Sequence, residues 1–240
     1  MPRLPTRLQD LLRKWKAEPF IPLALLLIAG GLLGFIHLSE EVGENEYHAF
    51  DKAVLLSMRV PGHLEQPLGP AWMPEMARDF TALGGFTLLT ALTLASTGIA
   101  LLHRKPRIAV IMVLAISSGM LVSDVLKKSF DRPRPDLVPH GVLVSSASFP
   151  SGHAMMSAVV YLTLGVLLAR TQPTRALRVY LISLSCLATL ATGISRVYLG
   201  VHWPTDVLAG WTLGAAWALS FGLLAVRLEA SAKARPSPPT

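Results

Sequence analysis

Six stretches of this chain are long and apolar enough to sit in lipid. They lie near residues 19–38, 83–102, 107–126, 153–170, 178–195 and 206–227. A helix needs about 20 apolar residues to cross the hydrocarbon core of a bilayer. Lipid offers no partner to a bare N–H or C=O, so only helices or closed barrels can span it. The alternation that marks barrel strands is absent from these runs. The expectation is an all-α integral membrane protein with six transmembrane helices in a bundle. Only 15% of the residues are charged, against about 25% in soluble domains.

The first run follows a basic segment, as a cleaved leader would. It is too long for a leader's apolar core and has no convincing small-residue cleavage site, so it reads as a retained span. Basic residues then set the orientation. Fourteen of the 22 fall on one side: in residues 1–18, in the loops at 103–107 and 170–178, and from 227 onward. Eight fall on the other side. The positive-inside rule puts both termini in the cytoplasm. The long loop 39–82 then faces outward, with eight acids against three bases. The net charge of +7 is thus topogenic, or touches anionic headgroups, and nucleic acid is not an expected partner. The working division is a basic cytoplasmic segment 1–18, a six-span domain 19–227, and a Pro/Ser-rich tail 228–240 expected to be disordered.

Within the outer loop, "YHAFDKAVLLSMRV" has helix-like spacing. It suits either a surface helix or a short helix packed on the bundle. His48 and His63 lack ligand-type spacing and read as surface residues. Cys186, the one cysteine, reads as a small buried residue.

Three polar segments fall at the predicted outer boundary. In "SFPSGH", residues 148–153, Pro150, Ser151 and Gly152 make a good helix start. Such an end offers unpaired N–H groups and a dipole to an anion, with His153 on the first turn. Taken alone, a helix cap with an incidental histidine explains it as well. In "KKSFDRPRP", residues 127–135, Pro133 and Pro135 stiffen the chain around Arg134. An arginine fork and the compact charge of Lys127 both suit phosphate oxygens. Lys128 and Arg132 read instead as headgroup anchors, and Asp131 and Asp136 as local charge balance. In "SRVYLGVHWPTD", residues 195–206, His202 and Asp206 are four apart at a helix start. An aspartate bonded to one imidazole nitrogen leaves the other lone pair exposed. Arg196 adds a second fork. Trp203 and Tyr198 read as an interfacial aromatic belt. No thiolate cluster or carboxylate cage accompanies these groups, so neither a metal nor another cofactor is expected. Three cations, a helix start, two histidines and one orienting carboxylate suit a tetrahedral oxyanion such as phosphate.

The three segments resemble the motifs of the type 2 phosphatidic-acid phosphatases, or lipid phosphate phosphatases: K-x6-R-P, P-S-G-H and S-R-x5-H-x3-D. They read here as Lys127 to Pro135, Pro150 to His153 and Ser195 to Asp206. The resemblance implies that His202 attacks phosphorus and forms a phosphohistidine, that Asp206 holds its tautomer, and that His153 protonates the leaving oxygen. It implies that Lys127, Arg134, Arg196, Ser151 and Gly152 bind the phosphate, and that no metal is needed. The implied substrate is a lipid phosphate or pyrophosphate at the membrane: undecaprenyl pyrophosphate, phosphatidate, phosphatidylglycerol phosphate or a lipid A phosphate. The implied setting is a bacterial inner membrane with the site facing outward. Three alternatives use the same residues or fewer: a haloperoxidase-like vanadate site, which six spans disfavour; a lipid-to-lipid phosphotransferase; and a silent lipid binder or transporter. For the last, Asp124 is the intramembrane charge of interest, although a capping or bundle role fits its position near a helix end. Gly30-Gly31 and Gly84-Gly85 read as helix-packing sites.

Overall fold

The structure is a computed structural model that describes residues 20–44, 48–142 and 146–233. The expected basic segment 1–18 and the end of the tail, 234–240, lie outside the described residues. The chain runs through α1 (Phe20–Gly43), a short helix α2 (His48–Ser57), and a hairpin of β1 (Arg59–Val60) and β2 (His63–Pro67). It continues through α3 (Met73–Leu83), α4 (Phe86–Leu102), α5 (Pro106–Phe130), α6 (Gly152–Thr171), α7 (Arg175–Tyr198) and α8 (Pro204–Lys233).

Among the described residues, five helices are long and apolar enough to cross a membrane: α1, α5, α6, α7 and α8. The second apolar run departs from expectation. Its helix α4 has 17 residues, about 25 Å at the α-helical rise and short of the hydrocarbon core. It becomes a crossing only together with α3, from which it is bent by 44°. The break falls at Gly84–Gly85. The α8 helix runs on to Lys233, so residues 228–233 are helical where a disordered tail was expected.

The inner helices are α6 and α8. Half of the spanning window of each is buried, against 6% for α1. Small residues let their backbones meet. A Cβ on Gly214 would stand 2.5 Å from the Met155 carbonyl oxygen, and one on Gly210 would stand 2.8 Å from that of Ser151. Of the two glycine pairs expected at packing sites, only one member of each meets a neighbouring helix. Gly31 abuts the Thr212 carbonyl, while Gly30 faces open space. Gly84 abuts Thr192 and His153 from the α3–α4 break, while Gly85 meets only Ala82 beside it.

Gly214→Ala therefore sets two effects against each other. Alanine favours a helix by about 1 kcal/mol over glycine, but overpacking against a backbone that cannot swing aside costs about 1–3 kcal/mol. The clash wins, and the melting temperature in detergent falls. Gly98→Ala, with nothing within 4 Å, leaves it unchanged or raises it.

The α2 helix packs on the bundle. Its Leu55 is fully buried against Val138, Ala154, Val197, Trp203 and Val207, which decides between the two readings of this segment. Arg59 pins the hairpin behind it by donating to the Tyr198 carbonyl at the end of α7 (2.9 Å). Burial lowers the Arg59 pKa. Trp203 and Tyr198 are buried at 5% and 7% exposure, not ranged in an interfacial belt. Their polar tips are taken by the carbonyls of Pro133 and Leu68, as buried indole and phenol groups require. Cys186 is only half-buried, because its stretch of α7 turns outward.

Candidate active site

Backbone hydrogen bonds tie the three polar segments together. Ser148 N–H donates to the Arg132 carbonyl, and Ser151 N–H to that of Asp206. The segment after α5 is thereby stitched to the start of α6, and α6 to the start of α8.

His202 lies in the turn between α7 and α8 and is 1% exposed. Pro204 opens α8, and Asp206 on its first turn reaches back to the Trp203 N–H (2.9 Å). That contact is one half of a capping box, and it fixes the carboxylate. The same oxygen lies 3.4 Å from His202 Nδ1 and accepts from Ser148 Oγ. On the opposite edge of the ring, Arg134 Nη1 is 3.2 Å from Nε2. A guanidinium can only donate, so Nε2 must accept and Nδ1 carries the proton. Burial lowers the His202 pKa to about 3; the Asp206 carboxylate opposes this shift without overcoming it. The imidazole is neutral at physiological pH, with its Nε2 lone pair turned to Arg134.

Arg134 is held by the carbonyls of Ser146 (2.8 Å) and Val201 (2.6 Å); burial lowers its pKa. Lys127 Nζ lies 3.2 Å from the Ala147 carbonyl. Its side chain runs across Gly152, where a Cβ would come within 3.3 Å of it. Glycine at this position thus makes room for the lysine. Ser151 caps α6 by accepting from Ala154 N–H (3.4 Å). Lys127, Arg134, Arg196 and His202 all lie within electrostatic reach of His153 on the first turn of α6. Arg196 is 3% exposed and donates through Nη1 to Thr81 Oγ1 on α3 (2.9 Å). Every residue expected at the site thus belongs to one neighbourhood.

Arg132 does not anchor headgroups. It is a tenth exposed, and its two terminal nitrogens bridge Asp51 (2.7 Å) and Asp206 (2.6 Å), both fully buried. It also donates to Thr205 Oγ1 (2.8 Å) and lies 5.7 Å from the Trp203 ring centre. Asp51 in turn accepts from the Thr205 N–H and hydroxyl. Sequence reasoning missed Asp51, Ser148, Thr81 and Thr205. Ser148 stood beside one motif and Thr205 within another; Asp51 carried the weaker signal of an acid on the apolar side of a short helix.

Comparison with known proteins gives the family. Residues 108–228 match the PAP2 superfamily. The chain belongs to that superfamily. It is 35% identical over 185 residues to phosphatidylglycerophosphatase B of Bacillus subtilis, covering 76% of this chain and 86% of that protein. It is 32% identical to an undecaprenyl-diphosphatase of Sulfolobus acidocaldarius over 56% of this chain and 62% of that one. The solved structure of a transmembrane PAP2 type phosphatidylglycerolphosphate phosphatase from Bacillus subtilis superposes with a TM-score of 0.76 at 29% identity, over 84% of this chain and 96% of that one. PAP2 membership makes the chain a membrane phosphatase. The helix Arg175–Tyr198 and the start of the helix at Pro204, which present Arg196, His202 and Asp206, lie wholly within the matched region, whereas Asp51 and Thr81 precede it.

Proposed function

We propose that this PAP2 member hydrolyses the terminal phosphate of a membrane lipid phosphate or pyrophosphate through a phosphohistidine at His202. One observation carries the reading. His202 Nδ1 is fixed by Asp206 while Nε2 lies beside Arg134, so a phosphate taken up by the guanidinium would free the lone pair next to phosphorus. In the first step Nε2 bonds to phosphorus, the ester P–O bond breaks, and the leaving oxygen takes a proton from His153. In the second, His153 takes a proton from water, the water oxygen bonds to phosphorus, and the P–N bond breaks. Lys127, Arg134 and Arg196 bear on the phosphate oxygens, and Ser151 and Gly152 supply the helix start. Arg196 favours an anionic ligand for a further reason. Its Nε is buried without a hydrogen bond to any described residue, at a cost of about 1–3 kcal/mol that an oxyanion would remove.

The bent α3–α4 pair is read as one span, giving six crossings with both termini cytoplasmic and the site facing outward. A bacterial cytoplasmic membrane fits this arrangement. Water as acceptor distinguishes hydrolysis from lipid-to-lipid transfer.

The test is phosphate release by the purified full chain from phosphatidylglycerophosphate, phosphatidate and a prenyl diphosphate in detergent, with and without an acceptor lipid. Free phosphate from at least one is expected, and none from any would refute the reading. The pH profile follows from the direction of the His202 shift. A lowered pKa keeps Nε2 unprotonated as pH falls through 6.5, and kcat/KM reports the free enzyme. After correction for the substrate's own ionisation near about pH 6, kcat/KM shows no acid limb at the ordinary imidazole value. A limb at that value would show that His202 titrates as an exposed histidine does.

A further inference from the structure

A cavity opens from the site along α5, α6 and the start of α4. Its polar end is formed by Lys127, Gly152 and His153, and its deeper wall by Phe86, Met120 and Met156. One acid interrupts that wall. Asp124 lines the cavity three residues before Lys127 on α5, on the same face and about 4.5 Å further along the axis. It does not cap α5, whose C-cap is Asp131. Among the described residues no hydrogen bond or ion pair takes it up. A capping role is therefore not what it performs. This exposed carboxylate, within electrostatic reach of Lys127, faces whatever occupies the cavity.

We propose that Asp124 selects the leaving group, favouring a lipid monoester with a hydroxyl next to the ester carbon over a lipid diphosphate. The proposal rests on the phosphatase reading above. His153 stands at the junction of the cavity with the site, so the leaving group of a bound lipid runs from His153 past Asp124 toward Met120 and Phe86. Its first few atoms meet the carboxylate. A hydroxyl there donates a charge-assisted hydrogen bond. The inner phosphate of a diphosphate sits at the same level and meets a like charge instead.

The experiment compares phosphatidylglycerophosphate with a prenyl diphosphate in one detergent, for the full chain and for Asp124→Asn and Asp124→Lys. Asp124 is exposed in the protein, so both variants fold. The unaltered chain is expected to prefer the hydroxylated monoester. The ratio of the two kcat/KM values should fall by about tenfold in Asp124→Asn and further in Asp124→Lys. A ratio that moves by less than about threefold in both variants, or an unaltered chain that prefers the diphosphate, overturns the selection. Release of phosphate from neither substrate would instead remove the phosphatase reading on which it stands.

Discussion

His202→Ala abolishes phosphate release from a protein that still folds. The expected loss is roughly 10⁴–10⁶-fold, the range met when a covalent nucleophile is removed and only binding remains. Folding should survive because what holds this corner together passes through Asp206, not the imidazole. Asp206 keeps its bonds to Arg132, Ser148 and the Trp203 N–H without the ring. The chemistry has no such substitute, since Nε2 is the nitrogen bracketed by Arg134. Quenching turnover of a ³²P-labelled substrate should trap label on the unaltered chain, stable to base and lost in acid, and none on His202→Ala. Lys128→Ala, on the exposed side of α5, serves as control and keeps its activity. Equal loss in the two variants would show that the assignment of the nucleophile is mistaken.

Arg132→Met strikes at stability. The substitution keeps most of the side chain's volume and removes its charge, leaving the fully buried Asp51 and Asp206 without their shared cation. Breaking a buried pair in this way costs about 3–5 kcal/mol, a large part of a total stability of about 5–15 kcal/mol. The melting temperature in detergent should collapse, and activity with it, because Asp206 also orients His202. Combining Arg132→Met with Asp51→Asn removes one orphaned charge and should recover part of the melting temperature. A residue that merely touched headgroups could be replaced at almost no cost. A single variant that melts within a degree or two of the parent would restore that simpler role.

These two residues mark the limit of what the sequence discloses. The apolar runs announced the spans, since lipid admits few other solutions. The three polar segments announced which side chains would gather, since each carries its residues at short fixed spacing. Arg132 stands inside one of those segments and was still misread. A cation at a helix end has the same local signature whether it faces headgroups or a carboxylate. Its partners are 81 and 74 residues away, and no periodicity connects them. Trp203 and Tyr198 were misplaced for the same reason: an aromatic beside an apolar run suits a membrane interface until α2 and the hairpin are known to cover it. The bend between α3 and α4 was hidden because hydropathy does not record direction. The glycine pair at the break looked like a contact surface, and one of its members is one.

The bond from Asp51 to the Thr205 N–H links residues 154 positions apart, which gives the site a place in time as well as space. A chain leaving the ribosome threads its early helices into the bilayer long before α8 has been synthesised. Throughout that interval Asp51 waits without Thr205, and Arg132, once made, waits without Asp206. The pocket therefore closes last, when the final helix arrives. A truncated product that lacks α8 keeps the Asp51–Arg132 pair but lacks the Thr205 and Asp206 partners that complete it, so no catalytic centre exists.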